Sequence, residues 1–277
     1  MTDWVIESLT NALNIWNEKL TEIWTIVTQS PEEFRGGSIW AVIVTIHGAL
    51  QATGLALLVL FFVIGVIRTC GSFTEMKRPE LGLKLFVRFI IAKAMVTYGM
   101  DLMLAVLTIV QGIINSILNS AGFAGGGNMV LPEEMITAID SCGFWASIPL
   151  LLVALIACLL IWILSFVMIL SCYGRFFKLY MYTAISPIPL STFAGEPTQN
   201  IGKSFLKSYA GVCMEGAIVI LACVIFSAFA GTPPEVDTSA TAATMVWTYI
   251  GSLLLNMLIL VGTVKAADRI VKEMMGL

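Results

Sequence analysis

Apolar residues recur at Leu9, Leu13, Trp16, Leu20, Ile23 and Val27, alternately four and three positions apart, with Glu7, Asn11, Asn14, Glu18 and Glu22 between them. That spacing predicts an amphipathic helix over 4–28, because a turn every 3.6 residues gathers such positions on one face. The segment is too polar to span a bilayer. Its tryptophans, Trp4, Trp16 and Trp24, suit the headgroup region, a copy of the same helix or the flank of a bundle, and the pattern does not choose among the three.

After Ser30-Pro31 and Gly36-Gly37 the alternation gives way to unbroken apolar runs. A helix needs roughly 20 such residues to cross a hydrocarbon core about 30 Å thick. Five stretches qualify, at about 38–67, 88–118, 144–173, 209–230 and 244–264. The first exceeds the bilayer and is expected to tilt or protrude. Lys84, Arg88 and Lys93 open the second helix and are expected at the membrane surface or snorkelling toward it. A Gly-rich loop with the Gly125-Gly126-Gly127 run precedes the third, and Pro233-Pro234 separates the last two. The expected fold is all-α: a polytopic membrane helix bundle (38–277) behind an extracytoplasmic N-terminal amphipathic arm (1–37).

The apolar stretch Leu179–Ala194 is interrupted by Ser186-Pro187-Ile188-Pro189. Each proline removes a backbone donor, so this segment is expected to be broken, re-entrant or interfacial and shielded by neighbouring helices. Placing 68–93, 174–208 and the tail after 264 in the cytoplasm gives the cytoplasm thirteen of the fifteen Lys and Arg, leaving Lys19 and Arg35 outside. Cations near span ends are retained inside, which predicts an outside N-terminus and a cytoplasmic C-terminus.

Composition agrees with that reading. The chain of 277 residues is 58% hydrophobic and 12% charged, with a mean hydropathy of +0.92, more apolar surface than a soluble domain of this size can hide. A net charge of −3 leaves no global basic field for nucleic acid, so any such contact has to be local. The start, Met-Thr-Asp-Trp, has neither the positive region nor the cleavage site of a removable leader. Of the six cysteines, Cys158, Cys172, Cys213 and Cys223 fall in or beside apolar runs, Cys70 in a basic loop and only Cys142 in an outer loop. They read as small buried apolar residues, with no disulfide framework and no zinc spacing.

No catalytic, cofactor or metal motif is present, and the single histidine is His47. The polar groups inside the spans are more informative, since ionisable residues there usually face protein or water. His47 and Gln51 are one turn apart on the first span, Asp101 lies on the second and Glu215 on the fourth, within reach of Lys203 or Lys207. They either line a path or fix packing between helices. Gly48, Gly54, Gly211 and Gly216 permit close helix approach.

The stretch Gly-Arg-Phe-Phe-Lys-Leu-Tyr-Met-Tyr-Thr-Ala-Ile-Ser-Pro-Ile-Pro-Leu-Ser-Thr-Phe-Ala at 174–194, followed by Asn-Ile-Gly-Lys-Ser-Phe-Leu-Lys-Ser-Tyr at 200–209, resembles the TrbL family of inner-membrane channel components of conjugative type IV secretion systems, particularly those on integrative elements of Gram-positive bacteria. The resemblance implies a ring-like homo-oligomer in the bacterial cytoplasmic membrane, working with other secretion subunits and a separate secretion ATPase. It also implies passage of a relaxase-linked single DNA strand, without cofactor or enzymatic activity. Arg175, Lys178, Pro187, Pro189, Lys203 and Lys207 form the expected docking surface. The runner-up is a small-molecule or ion transporter using His47, Asp101 and Glu215, although only one broken helix is visible where such a transporter has two.

Overall fold

The computed structural model describes residues 2–69, 79–121, 129–229 and 241–277; Cys70, Lys77, Arg78, the Gly125-Gly126-Gly127 run and Pro233-Pro234 lie outside them. Among the described residues every regular element is helical. They are α1 (Thr2–Thr28), α2 (Ser38–Thr69), α3 (Pro79–Thr97), α4 (Gly99–Ala121), α5 (Glu133–Asp140), α6 (Phe144–Ile185), α7 (Pro187–Ser191), α8 (Gln199–Phe229) and α9 (Ala242–Met275), with 3-10 turns at Phe34–Gly37 and Thr192–Ala194. Among the described residues five segments are long and apolar enough to cross a membrane: Phe34–Arg68, Gly99–Ser120, Ser147–Ile185, Gln199–Phe229 and Ala243–Met275. Several boundaries differ from those the hydropathy suggests: the fourth helix already begins at Gln199 and the fifth continues to Met275. The third helix continues past 173 to Ile185, and the second is divided into α3 and α4 at Tyr98.

The chain forms two compact units. The first comprises Met1–Thr28, Asn115–Tyr173 and Ile218–Ala267. Here Leu9, Leu13, Trp16, Ile23 and Val27 of α1 are buried while Glu7, Asn11, Asn14 and Glu18 are exposed. The helix is thus a covering helix whose apolar face is buried within its own chain. Asn17 fixes it, donating to the Met129 carbonyl at 3.0 Å and accepting from the Met129 amide at 3.1 Å. The Tyr173 hydroxyl donates to Glu22 at 3.0 Å, and the Cys158 thiol reaches the Ser8 carbonyl at 3.4 Å. The outer faces of α6 and α9 present Trp145, Leu152, Leu159, Trp162, Phe166, Trp247 and Leu255, large apolar side chains whose natural solvent is lipid.

The second unit comprises Gln29–Ile114, Gly174–Ala217 and Asp268–Leu277. It opens on a turn in which Arg35, Gly36 and Gly37 have φ of 49°, 72° and 75°. Left-handed backbone costs a residue with a Cβ roughly 1–2 kcal/mol, so two glycines in three make this reversal into α2 affordable. From there α2 and α3 run antiparallel, with Phe62 against Phe89 (centroids 4.8 Å apart) and the Gln51 side chain at the Thr97 carbonyl.

Within this unit Phe34 stacks on Phe176, centroids 4.6 Å apart, and the Tyr180 hydroxyl donates to the Pro31 carbonyl at 2.9 Å. The charge count put residues 1–37 outside and 174–208 in the cytoplasm. These contacts bring part of the first of those segments against the start of the second. Counting cations registers loops and is blind to which helix ends meet.

Candidate functional site

The broken segment owes its conformation to hydroxyls. Pro187 and Pro189 withdraw two amide donors, and the carbonyls around them are satisfied from side chains instead. Ser186 donates to the Thr183 carbonyl at 2.9 Å, Ser191 to Ile188 at 2.6 Å, Thr192 to Pro189 at 2.6 Å and Thr198 to Thr192 at 2.8 Å. Thr183, Ser186, Ser191 and Thr192 are all buried. With these carbonyls satisfied by neighbouring hydroxyls, the segment can lie against membrane-spanning helices.

Its packing partners are α2 and α3. A Cβ on Gly54 would stand 2.7 Å from the Pro187 carbonyl oxygen, and one on Gly65 would stand 3.1 Å from the Gly195 Cα. These glycines, eleven positions apart on α2, form the bed on which 187–195 lies. Arg88 of α3 holds the exit of the segment through Glu196, at 3.2 Å. Leu190 meets Gly99, where a Cβ would be 3.1 Å from its Cδ1 and 3.4 Å from His47 Nε2.

His47 and Gln51 therefore do share a face, and that face is turned to the α3–α4 bend. Gln51 donates to the Thr97 carbonyl at 2.8 Å and to the Val96 carbonyl at 3.4 Å. His47 is buried against the bend, and its Nε2 has no hydrogen-bond partner among the described residues. Among the described residues nothing outside its own helical turn lies within 4 Å of a would-be Cβ on Gly48, so of the two α2 glycines singled out by sequence only Gly54 is a close approach.

The cationic residues divide into two groups. Lys203 and Lys207 are exposed on the first turns of α8. Arg175 is buried, its guanidinium lying over Gly216 where α8 has no side chain, so it is not part of an exposed docking surface. Lys178 is half-buried and bridges two carboxylates, 3.7 Å from Glu215 and 3.2 Å from Asp268, the latter also held by Lys272 at 2.8 Å. The cation beside Glu215 is thus Lys178 on α6, while Lys203 and Lys207 remain exposed. Asp268 and Glu196 were missed by sequence reasoning. An i, i+4 spacing ties Asp268 to Lys272, but nothing local points to Lys178, which is 90 positions away. Asp101 is exposed on α4 and Pro187 is buried in the broken segment, with Pro189 half-buried beside it.

Among the described residues no group of His, Cys, Asp and Glu could hold a metal ion. What the site can do is mechanical and electrostatic: seat a rigid non-helical segment between helices and present Lys203 and Lys207 from its far end. No curated protein and no solved structure matches the chain. A family match covers residues 16–187, from α1 to the first residue of α7, and so takes in Arg175, Lys178 and Pro187 but stops short of Lys203 and Lys207. The matching family is described as TrbL/VirB6 plasmid conjugal transfer like protein, and since the match covers more than half of this multi-pass helical membrane protein, the chain belongs to that family, whose members are transfer-apparatus components and not enzymes.

Proposed function

We propose that the chain is a homo-oligomeric channel or platform subunit of a conjugative type IV secretion system, of the kind carried on integrative elements of Gram-positive bacteria. In this reading it supports passage of a relaxase-linked single DNA strand across the cytoplasmic membrane, with other secretion subunits and a secretion ATPase as partners. The segment around Lys203 and Lys207 and the C-terminus face the cytoplasm, where most cations are retained.

The observation that carries the proposal is the division among the cations. Arg175 and Lys178 are taken up by the fold, whereas Lys203 and Lys207 stand exposed one turn apart, with Asn200 and Ser204 exposed beside them. Two exposed ammonium groups on a helix that follows a buried turn suit an acidic partner surface or a passing phosphate backbone. Replacing Lys203 and Lys207 by Glu is expected to lower conjugation frequency by about two orders of magnitude, since each reversed contact costs on the order of 1.4 kcal/mol or more. Membrane-inserted protein, measured by immunoblot of membrane fractions, should be unchanged. The transporter reading has its support in Glu215, buried between α6 and α9 beside Lys178. If the double reversal leaves mating intact while Glu215→Gln or Asp101→Asn stops flux of a small ion in vesicles, that reading replaces the channel.

A further inference from the structure

The exposed cations of the second unit stand in two kinds of surroundings. Lys203 and Lys207 on α8 have Asn200 and Ser204 exposed beside them, a polar neighbourhood. Arg68, the last residue of the first candidate span, and Lys84, in the second turn of α3, stand instead beside exposed hydrocarbon. Ile67 next to Arg68 and Leu83 next to Lys84 are each 66% exposed. The pattern extends along both helices. Leu60, Ile64 and Arg68 are four apart on α2, and Lys84, Val87 and Ile91 are three and four apart on α3. All six are exposed, so each cation ends a ridge of apolar side chains.

The two ridges end at one level. Phe62 meets Phe89 across the antiparallel pair. From that contact Arg68 lies about 9 Å onward along α2 and Lys84 about 8 Å back along α3, which is the same direction, at 1.5 Å per residue. The 32 residues of α2 exceed what a hydrocarbon core about 30 Å thick requires, so its last turn reaches the headgroup region. Among the described residues neither cation forms an ion pair, with Glu80, one turn before Lys84, included, and the Glu196 carboxylate is held by Arg88.

Charge and apolar surface together narrow the occupant. A soluble polyanion would neutralise the cations and leave Ile67 and Leu83 in water. A zwitterionic lipid would cover the ridges but bring no net charge to Arg68 and Lys84. An anionic phospholipid supplies both parts, acyl chain and negative headgroup, in the order in which each ridge presents them.

We propose that this end of the α2–α3 hairpin binds anionic phospholipid, with acyl chains along the two ridges and phosphate headgroups against Arg68 and Lys84. The test incubates the full-length protein in mild detergent with equimolar phosphatidylglycerol and phosphatidylcholine of identical chains, and reads the bound lipid by native mass spectrometry. The parent chain is expected to retain phosphatidylglycerol in excess. Arg68→Gln and Lys84→Gln are each expected to lower that preference about fivefold, the effect of one Lys or Arg beside an anionic membrane surface, and together by about the product. Exchanging the cations, Arg68→Lys with Lys84→Arg, should keep the preference, because the charge is kept. Ile64→Ser with Val87→Ser should lower retention of both lipids alike. Lys203→Gln with Lys207→Gln is expected to leave the preference within about twofold, since those cations end no apolar ridge. Equal retention of the two lipids by the parent chain, or an unchanged preference in the Arg68/Lys84 double variant, overturns the proposal. So does an equal loss on removing Lys203 and Lys207, which would mean that overall charge and not this end of the hairpin selects the lipid. Displacement of phosphatidylglycerol by the same concentration of inorganic phosphate or of a short oligothymidylate would overturn it in favour of a soluble anion.

Discussion

Gly54 gives the sharpest test of the packing. Its added Cβ would meet the Pro187 carbonyl oxygen at 2.7 Å, the Pro187 Cβ at 2.9 Å and the Pro187 carbonyl carbon at 3.0 Å. Most of these are backbone or ring atoms that cannot swing aside. Restoring an ordinary contact requires α7 to move by about 0.7 Å, and close-packed interiors resist such shifts. α7 is hemmed in by α2 and α3, and its exit is tied by Glu196 to Arg88. Overpacking of this kind costs about 1–3 kcal/mol, against a gain of about 1 kcal/mol for replacing a helical glycine by alanine, so Gly54→Ala is expected to destabilise by roughly 0–2 kcal/mol. Gly48→Ala is the matched control: same helix, nothing outside its own helical turn within 4 Å among the described residues, hence only the propensity gain. At about 2–4 °C per kcal/mol, the two variants should melt several degrees apart in detergent, with Gly48→Ala the higher. Gly54→Leu should widen the gap. If Gly54→Ala melts at or above Gly48→Ala, Pro187 does not lie on α2 and the account of the broken segment is wrong.

Lys178→Met removes the nearest cation from the buried Glu215 and one of two from Asp268, and is expected to cost about 2–4 kcal/mol in detergent melting. Adding Glu215→Gln should recover at least half of that loss, and a merely additive double variant would mean that the pair does not interact. Gln51→Leu deletes the donor to the Thr97 carbonyl and should cost about 1 kcal/mol by the same measurement, whereas a silent change would mean that the α3–α4 bend needs no support from α2.

What was legible in the sequence is whatever depends on period and run length. The stripe of α1, the five apolar runs and the break at Ser186-Pro187-Ile188-Pro189 follow from residue types along a single helix. Lipid demands about 20 apolar residues per crossing, and proline removes its donor whatever lies nearby. The resemblance in the basic-aromatic and proline stretch likewise needed only the order of residues. Helix ends were less legible. The continuation of α6 to Ile185 depends on Thr183 and Leu179 being enclosed by neighbouring helices, which hydropathy does not register.

Only the tertiary structure decided which side chains meet. Arg175 and Lys203 look equally cationic in the sequence, yet one is folded over Gly216 and the other is exposed, because burial depends on which helix packs alongside. Gly48 and Gly54 are indistinguishable by type and separated only by the presence of Pro187. The partnership of Lys178 with Glu215 and Asp268 links three helices, and the stacking of Phe34 on Phe176 joins rings that no local pattern pairs. Periodicity is a property of one helix and can be read along the chain. Contact between distant helices is a property of how their surfaces fit, and only the folded structure determines it.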